Sequence, residues 1–176
     1  MKMLPFAIVL AAATLMMAAT GNRKVTNNAK SPSAETSITL GGQPMTIEYN
    51  APSARGRKVE GGLVPYGQVW RLGADSATTL TTGADIMLGS VRVPKGVHTL
   101  YILASETGWK LIVNKQTGQW GTEYSEAQDL GRADMKVSKL SQPVEKLDIA
   151  LKSAGSGGSL EIQWGNTKAV VPIKLA

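Results

Sequence analysis

The chain has 176 residues, with 19 Lys and Arg against 13 Asp and Glu, a formal net charge of +6, one His, no Cys and a single Phe. This length holds one domain's core and no second full domain; without Cys, and with one His, it excludes a disulfide framework, thiolate chemistry, Cys-based zinc or iron–sulfur sites and a multi-histidine metal centre. Nineteen glycines and 18% charged residues favour a turn-rich β protein over a helical bundle.

Residues 1–20 have the parts of a secretory signal: a basic start at Lys2, an apolar run from Leu4 to Met17, then small residues. The run is about 14 residues, short of the roughly 20 that a membrane-spanning helix needs. Cleavage is expected after Ala19 or Gly21, giving a periplasmic or secreted protein with no stable membrane insertion afterwards. Residues 21–35 are polar and without period, which predicts a disordered linker, and residues 36–176 form a single domain. The one dense basic cluster, Arg55, Arg57 and Lys58 around Gly56, reads as a solvated turn, with an anion site as the alternative. No nucleic-acid motif is present, and no nucleic-acid partner is expected.

Alternation of period two runs through the domain. Met45, Ile47 and Tyr49 share one face, as do Leu147, Ile149 and Leu151, and Leu160, Ile162 and Trp164. Residues 97–103 are almost wholly apolar and predict a central strand, paired through the Glu106-Thr107-Gly108 turn with a strand from Trp109 to Val113. Gly41-Gly42, Gly89-Ser90 and Gly165-Asn166 supply residues for strand reversals, and Pro94-Lys95-Gly96 a turn. Nine or ten strands are expected, drawn from starts near Ser37, Met45, Val69, Ala77, Ile86, Val91, Val97, Trp109, Met135, Leu147, Leu160 and Ala169. The fold class is therefore all-β, an antiparallel β-sandwich of jelly-roll type with at most one short helix, at residues 125–130.

The chemistry on offer is limited. His98, the only imidazole, falls on the central strand and reads as structural rather than as a general base. Glu123, Glu126 and Asp129 recur every three residues and read as a solvated acidic face, with calcium the alternative. No metal site and no cofactor is expected, for want of any ligand or nucleotide motif. The most unusual stretch is residues 52–82, rich in Gly and Pro, with Tyr66, Trp70, Arg71 and Asp75. Trp70 and Arg71 are neighbours on a strand, so one faces the core and the other does not. An Arg71–Asp75 clamp is expected, with Arg71 as a ligand arm the alternative. A second cluster around Asn114 and Trp120 places an amide and an aromatic ring on a loop, the groups that hold small polar ligands and sugars.

The segments PSARGRKVEGGLVPYGQVWRLGADSATTLTT, VPKGVHTLYIL, WKLIVNKQTGQWGT and LEIQW resemble the exported bacterial family catalogued as domain of unknown function 2911 (DUF2911), in the family's order and over nearly all of the chain after the linker. The resemblance implies an exported, mainly β protein and supplies no activity. His98 stands where the family more usually has an aromatic or polar residue, and Asp75-Ser76 where Asn-Glu is familiar, so neither position inherits a catalytic role.

The reading that follows is a binding module for a small polar or anionic ligand or an envelope glycan, with Tyr66, Arg71, Asp75, Asn114 and Trp120 as candidate contacts. A carboxylate-based glycoside hydrolase is the first alternative, requiring paired carboxylates on one cleft. A structural or partner-binding envelope protein, with all four Trp in the core, is the second.

Overall fold

The computed structural model describes residues 22–25 and 31–176. The expected signal segment, residues 1–20, lies outside these residues. Eleven strands follow one another: β1 (Asn22–Val25), β2 (Ser33–Leu40), β3 (Gln43–Asn50), β4 (Val69–Trp70), β5 (Thr79–Thr82), β6 (Ile86–Leu88), β7 (Val91–Val93), β8 (Gly96–Ala104), β9 (Trp109–Asn114), β10 (Asp129–Ala154) and β11 (Gly157–Leu175). The expected helix is reduced to one 3-10 turn, Glu126–Gln128. The class is all-β, as the alternation requires.

All strand pairs are antiparallel, in the order β1-β2-β3-β5-β8-β9-β10-β11-β6-β7, with β4 added beside β8. The long β10 folds this ladder into two layers. Its first residues pair with β9, from Asp129 against Asn114 to Met135 against Trp109. From Lys136 onward it pairs with β11, and its register slips on either side of Val144, next to Pro143, which has no N–H to give to a ladder. The layers then meet face to face. The Tyr49 hydroxyl donates to the Ile149 carbonyl (3.4 Å) and accepts from the Ile149 amide (3.1 Å), while the Leu151 amide donates to Thr36 Oγ1 (3.0 Å). Ile47, Leu80, Ile102, Leu111, Ile149 and Ile162 are buried between them.

Several expectations hold in detail. Gly41 and Gly42 both have positive φ (54° and 79°), the two left-handed steps of a tight β2–β3 hairpin. Across the β8–β9 hairpin Leu100 faces Val113 and Ile102 faces Leu111. His98 is buried with Nε2 2.8 Å from the Pro94 carbonyl oxygen, a structural contact.

Others do not hold. The polar segment 21–35 is not all linker, because β2 begins at Ser33 and β1 pairs with it. Polar residues at the outward positions hide the alternation in which Ala34, Thr36 and Ile38 point inward. Gly165-Asn166 does not reverse a strand. Gly165 takes φ +56° inside β11, and Glu60 Oε1 accepts the Asn166 amide (2.7 Å) and the Thr167 hydroxyl (3.0 Å), so the strand jogs and continues. The starts near Met135 and Leu147 are likewise parts of one strand.

Trp109 is buried against Met135 and borders a groove with Lys110 and Asp134. Because water can enter that groove, Trp109→Ala is expected to cost about 3 kcal/mol, the lower end for an aromatic truncation. A denaturant melt showing less than about 1 kcal/mol would contradict its place in the core.

Candidate functional site

The outer edge of β8 is shared by two short strands. β5 pairs with its first half (Thr79 with Thr99) and β4 with its last residues (Trp70 with Ile102). Between them residues 71–78 leave the sheet, opposite Leu100 and Tyr101. A cleft of about 720 Å³ opens there, with Arg71, Asp75, Tyr101, Tyr124 and Trp164 in its lining, joined by Arg55 and Arg57 from the preceding loop. Its size suits a small molecule.

The backbone of this wall is strained. Among the described residues three non-glycines have positive φ, Arg55 (50°), Leu72 (49°) and Asp75 (58°), and all three lie in or beside the wall. Asp tolerates this conformation through its short polar side chain, whereas a buried Leu does not. Each such residue costs about 1–3 kcal/mol unless its surroundings fix it. Here they do. Thr78 Oγ1 donates to the Leu72 carbonyl (2.8 Å), Asn50 Nδ2 to the Ala74 carbonyl (3.1 Å) and the Gly121 amide to the Asp75 carbonyl (2.9 Å). Gly121 is required by the same packing, since a Cβ there would stand 2.8 Å from Arg71 Cδ and 2.8 Å from the Asp75 oxygen.

The expected Arg71–Asp75 clamp is absent. Arg71 is half-buried and Asp75 exposed. Neither side chain has a hydrogen-bond or ion-pair partner among the described residues, because the double left-handed bend between them, with Gly121 wedged against it, keeps them apart. Arg57 differs: its Nε donates to the Ala54 carbonyl (3.0 Å) and its Nη2 to the Ser53 carbonyl (2.9 Å). Two of the three members of the basic cluster, Arg55 and Arg57, line the cleft, and among the described residues Arg71 presents an uncommitted guanidinium there. The phenols opposite are neutral. Burial and a hydrogen bond to Asp129 push Tyr124 up to about 12, and burial raises Tyr101.

The remaining candidates fall elsewhere. Asn114 is fully buried, with both amide hydrogens committed, to the Ser125 carbonyl and to Asp129 Oδ1 (2.9 Å each), while its oxygen accepts the Gln116 amide (2.9 Å). It fixes the 114–129 loop. Tyr66 packs against the core under Gly61, outside the cleft lining. Trp120 is 49% exposed on the rim, bridged to Ser76, so the four Trp are not all core. Glu126 and Asp129 both pair with Arg132, at 2.8 and 3.2 Å, and no cluster able to hold a metal ion occurs among the described residues. Tyr101, Tyr124 and Trp164 were not singled out from the sequence; they reach the cleft through pairing across long separations, which leaves no local signal.

An all-β domain with a cationic cleft beside a strained loop is the class these features define. The chain matches, over residues 31–173, the model of a family described as a protein of unknown function, DUF2911, and it belongs to that family. No curated protein and no solved structure matches it.

Proposed function

We propose that the protein is an exported binding module whose cleft takes a small anionic ligand, a carboxylate-bearing metabolite or the acidic unit of an envelope glycan. One observation carries this reading: the Arg71 guanidinium lines the cleft with no partner among the described residues. A planar fork of N–H donors matches a carboxylate in two parallel hydrogen bonds, and the low-dielectric walls strengthen that pairing over its value in open water. A single uncommitted fork favours a carboxylate over a dianionic phosphate. The formal charge of the chain, +6 with Lys2 and so +5 once the signal segment is removed, draws anions toward it. Export is supported by the composition of residues 1–20.

A glycoside hydrolase needs two carboxylates on one cleft; among the described residues Asp75 is the only one in the lining. The test is calorimetric titration with glucuronate, inorganic phosphate and uncharged glucose. Glucuronate is expected to bind at least tenfold more tightly than the other two. Equal binding of glucuronate and glucose would remove the charge from the account.

A further inference from the structure

Two side chains of opposite sign, Arg71 and Asp75, line the cleft, and neither has a partner among the described residues. Arg71 and Asp75 lie on one loop, and the left-handed steps at Leu72 and Asp75 and the close approach of Gly121 hold them apart. Among the described residues the cleft therefore offers a hydrogen-bonding cation, Arg71, and a hydrogen-bonding anion, Asp75, that are not committed to each other. A ligand with only negative charge would satisfy the first and be repelled by the second.

We propose that the ligand is a zwitterion, an amino acid or short peptide, whose carboxylate lies on the Arg71 guanidinium and whose ammonium lies on the Asp75 carboxylate. This rests on the anion-binding reading above and narrows it. No other carboxylate lines the cleft among the described residues, so the ammonium has one acidic place to go. The cleft, at about 720 Å³, is roomy for a single amino acid and accommodates a short peptide. The neutral phenol of Tyr101 is already engaged, donating to the Glu123 carbonyl (2.8 Å) and accepting from Gln119 (3.1 Å), so the charged ends are left to the two free side chains.

The experiment is calorimetric titration of the purified protein with glycine, glycylglycine and triglycine, a series that varies the spacing between the two charges, beside the N-acetylated form of each. At neutral pH at least one free-amine compound is expected to bind tenfold or more tightly than its N-acetyl form. Asp75→Asn should erase that preference, with the affinity for the N-acetyl form kept or raised as the repulsion by Asp75 is removed. Asparagine tolerates the left-handed backbone as well as aspartate does, so the melting temperature of this variant should be unchanged, which separates lost recognition from lost fold. N-acetyl compounds binding as tightly as the free amines would overturn the zwitterion and leave the anion site standing. Absence of binding by every member of the series would overturn the zwitterion too, and glucuronate then decides separately whether an anion site exists. A preference for the free amine that survives in Asp75→Asn would equally contradict the role given to Asp75.

Discussion

Trp164→Ala is expected to destabilise the domain by about 5 kcal/mol, the upper end for an aromatic truncation in a core. Three losses combine at this position. The ring is 3% exposed, so its removal strips a large buried apolar surface from the core, even though the space left joins the cleft it lines. It stacks on Trp70 with centroids 5.7 Å apart and planes 18° from parallel, a contact beyond area burial alone. Its Nε1 donates to the Glu145 carbonyl at 3.0 Å, which helps hold β10 where its register slips. Since Trp164 also lines the cleft, the variant should lose binding along with stability. Trp164→Phe keeps an aromatic ring against Trp70 and loses the hydrogen bond, and should recover most of the stability. A denaturant melt in which Trp164→Ala loses less than about 2 kcal/mol would contradict the packing of the two layers on each other.

Arg71→Gln is expected to have the opposite profile. With no ion pair or hydrogen bond to lose among the described residues, its melting temperature should stay within about 1 °C of the parent, whereas a buried clamp broken at one end would cost about 3–5 kcal/mol. Glucuronate affinity should fall about tenfold to a hundredfold, the range of a charge-assisted hydrogen-bonded pair worth about 1.5–3 kcal/mol. Arg71→Lys retains the charge without the fork and should lie between. Arg57→Gln provides the contrast, because it abandons the Ser53 and Ala54 carbonyls and should register in stability. Parallel melts and titrations of these variants check the assignment; an Arg71→Gln protein that melts early yet binds glucuronate as before would reverse it.

These contrasts show which parts of the molecule are legible in its sequence. Alternation is local, so the inward faces of β3, β9, β10 and β11 can be read from Met45, Leu111, Ile149 and Ile162 alone. The division of labour between Trp70 and Arg71 is as expected, Trp70 buried and Arg71 not, although Arg71 is the first residue past β4 rather than a strand neighbour. The absence of the clamp is not legible, because spacing reports neighbours in the chain, whereas Leu72 and Asp75 turn the backbone through left-handed conformations that no residue pattern announces. The structural role of Asn114 is hidden for a related reason. An amide next to a loop has the composition of a ligand contact, and only the folded loop reveals that Ser125, Gln116 and Asp129 have already taken its hydrogen bonds. Trp164 joins Trp70 from far along the chain, by the passage of β10 between layers, and nothing local marks the partnership. The Glu60 contact that carries β11 past Gly165 is equally remote in sequence.

The central claim is that an anion sits on Arg71 in the cleft at the β4–β5 gap, and amide chemical-shift mapping with glucuronate addresses it most directly. The account predicts that the largest shifts cluster at Arg71, Gly73, Ala74, Asp75 and Gly121, the backbone around the cleft wall, and that they vanish in Arg71→Gln. Shifts centred instead on the exposed lysines of β10, such as Lys136 and Lys139, and persisting without Arg71, would contradict it.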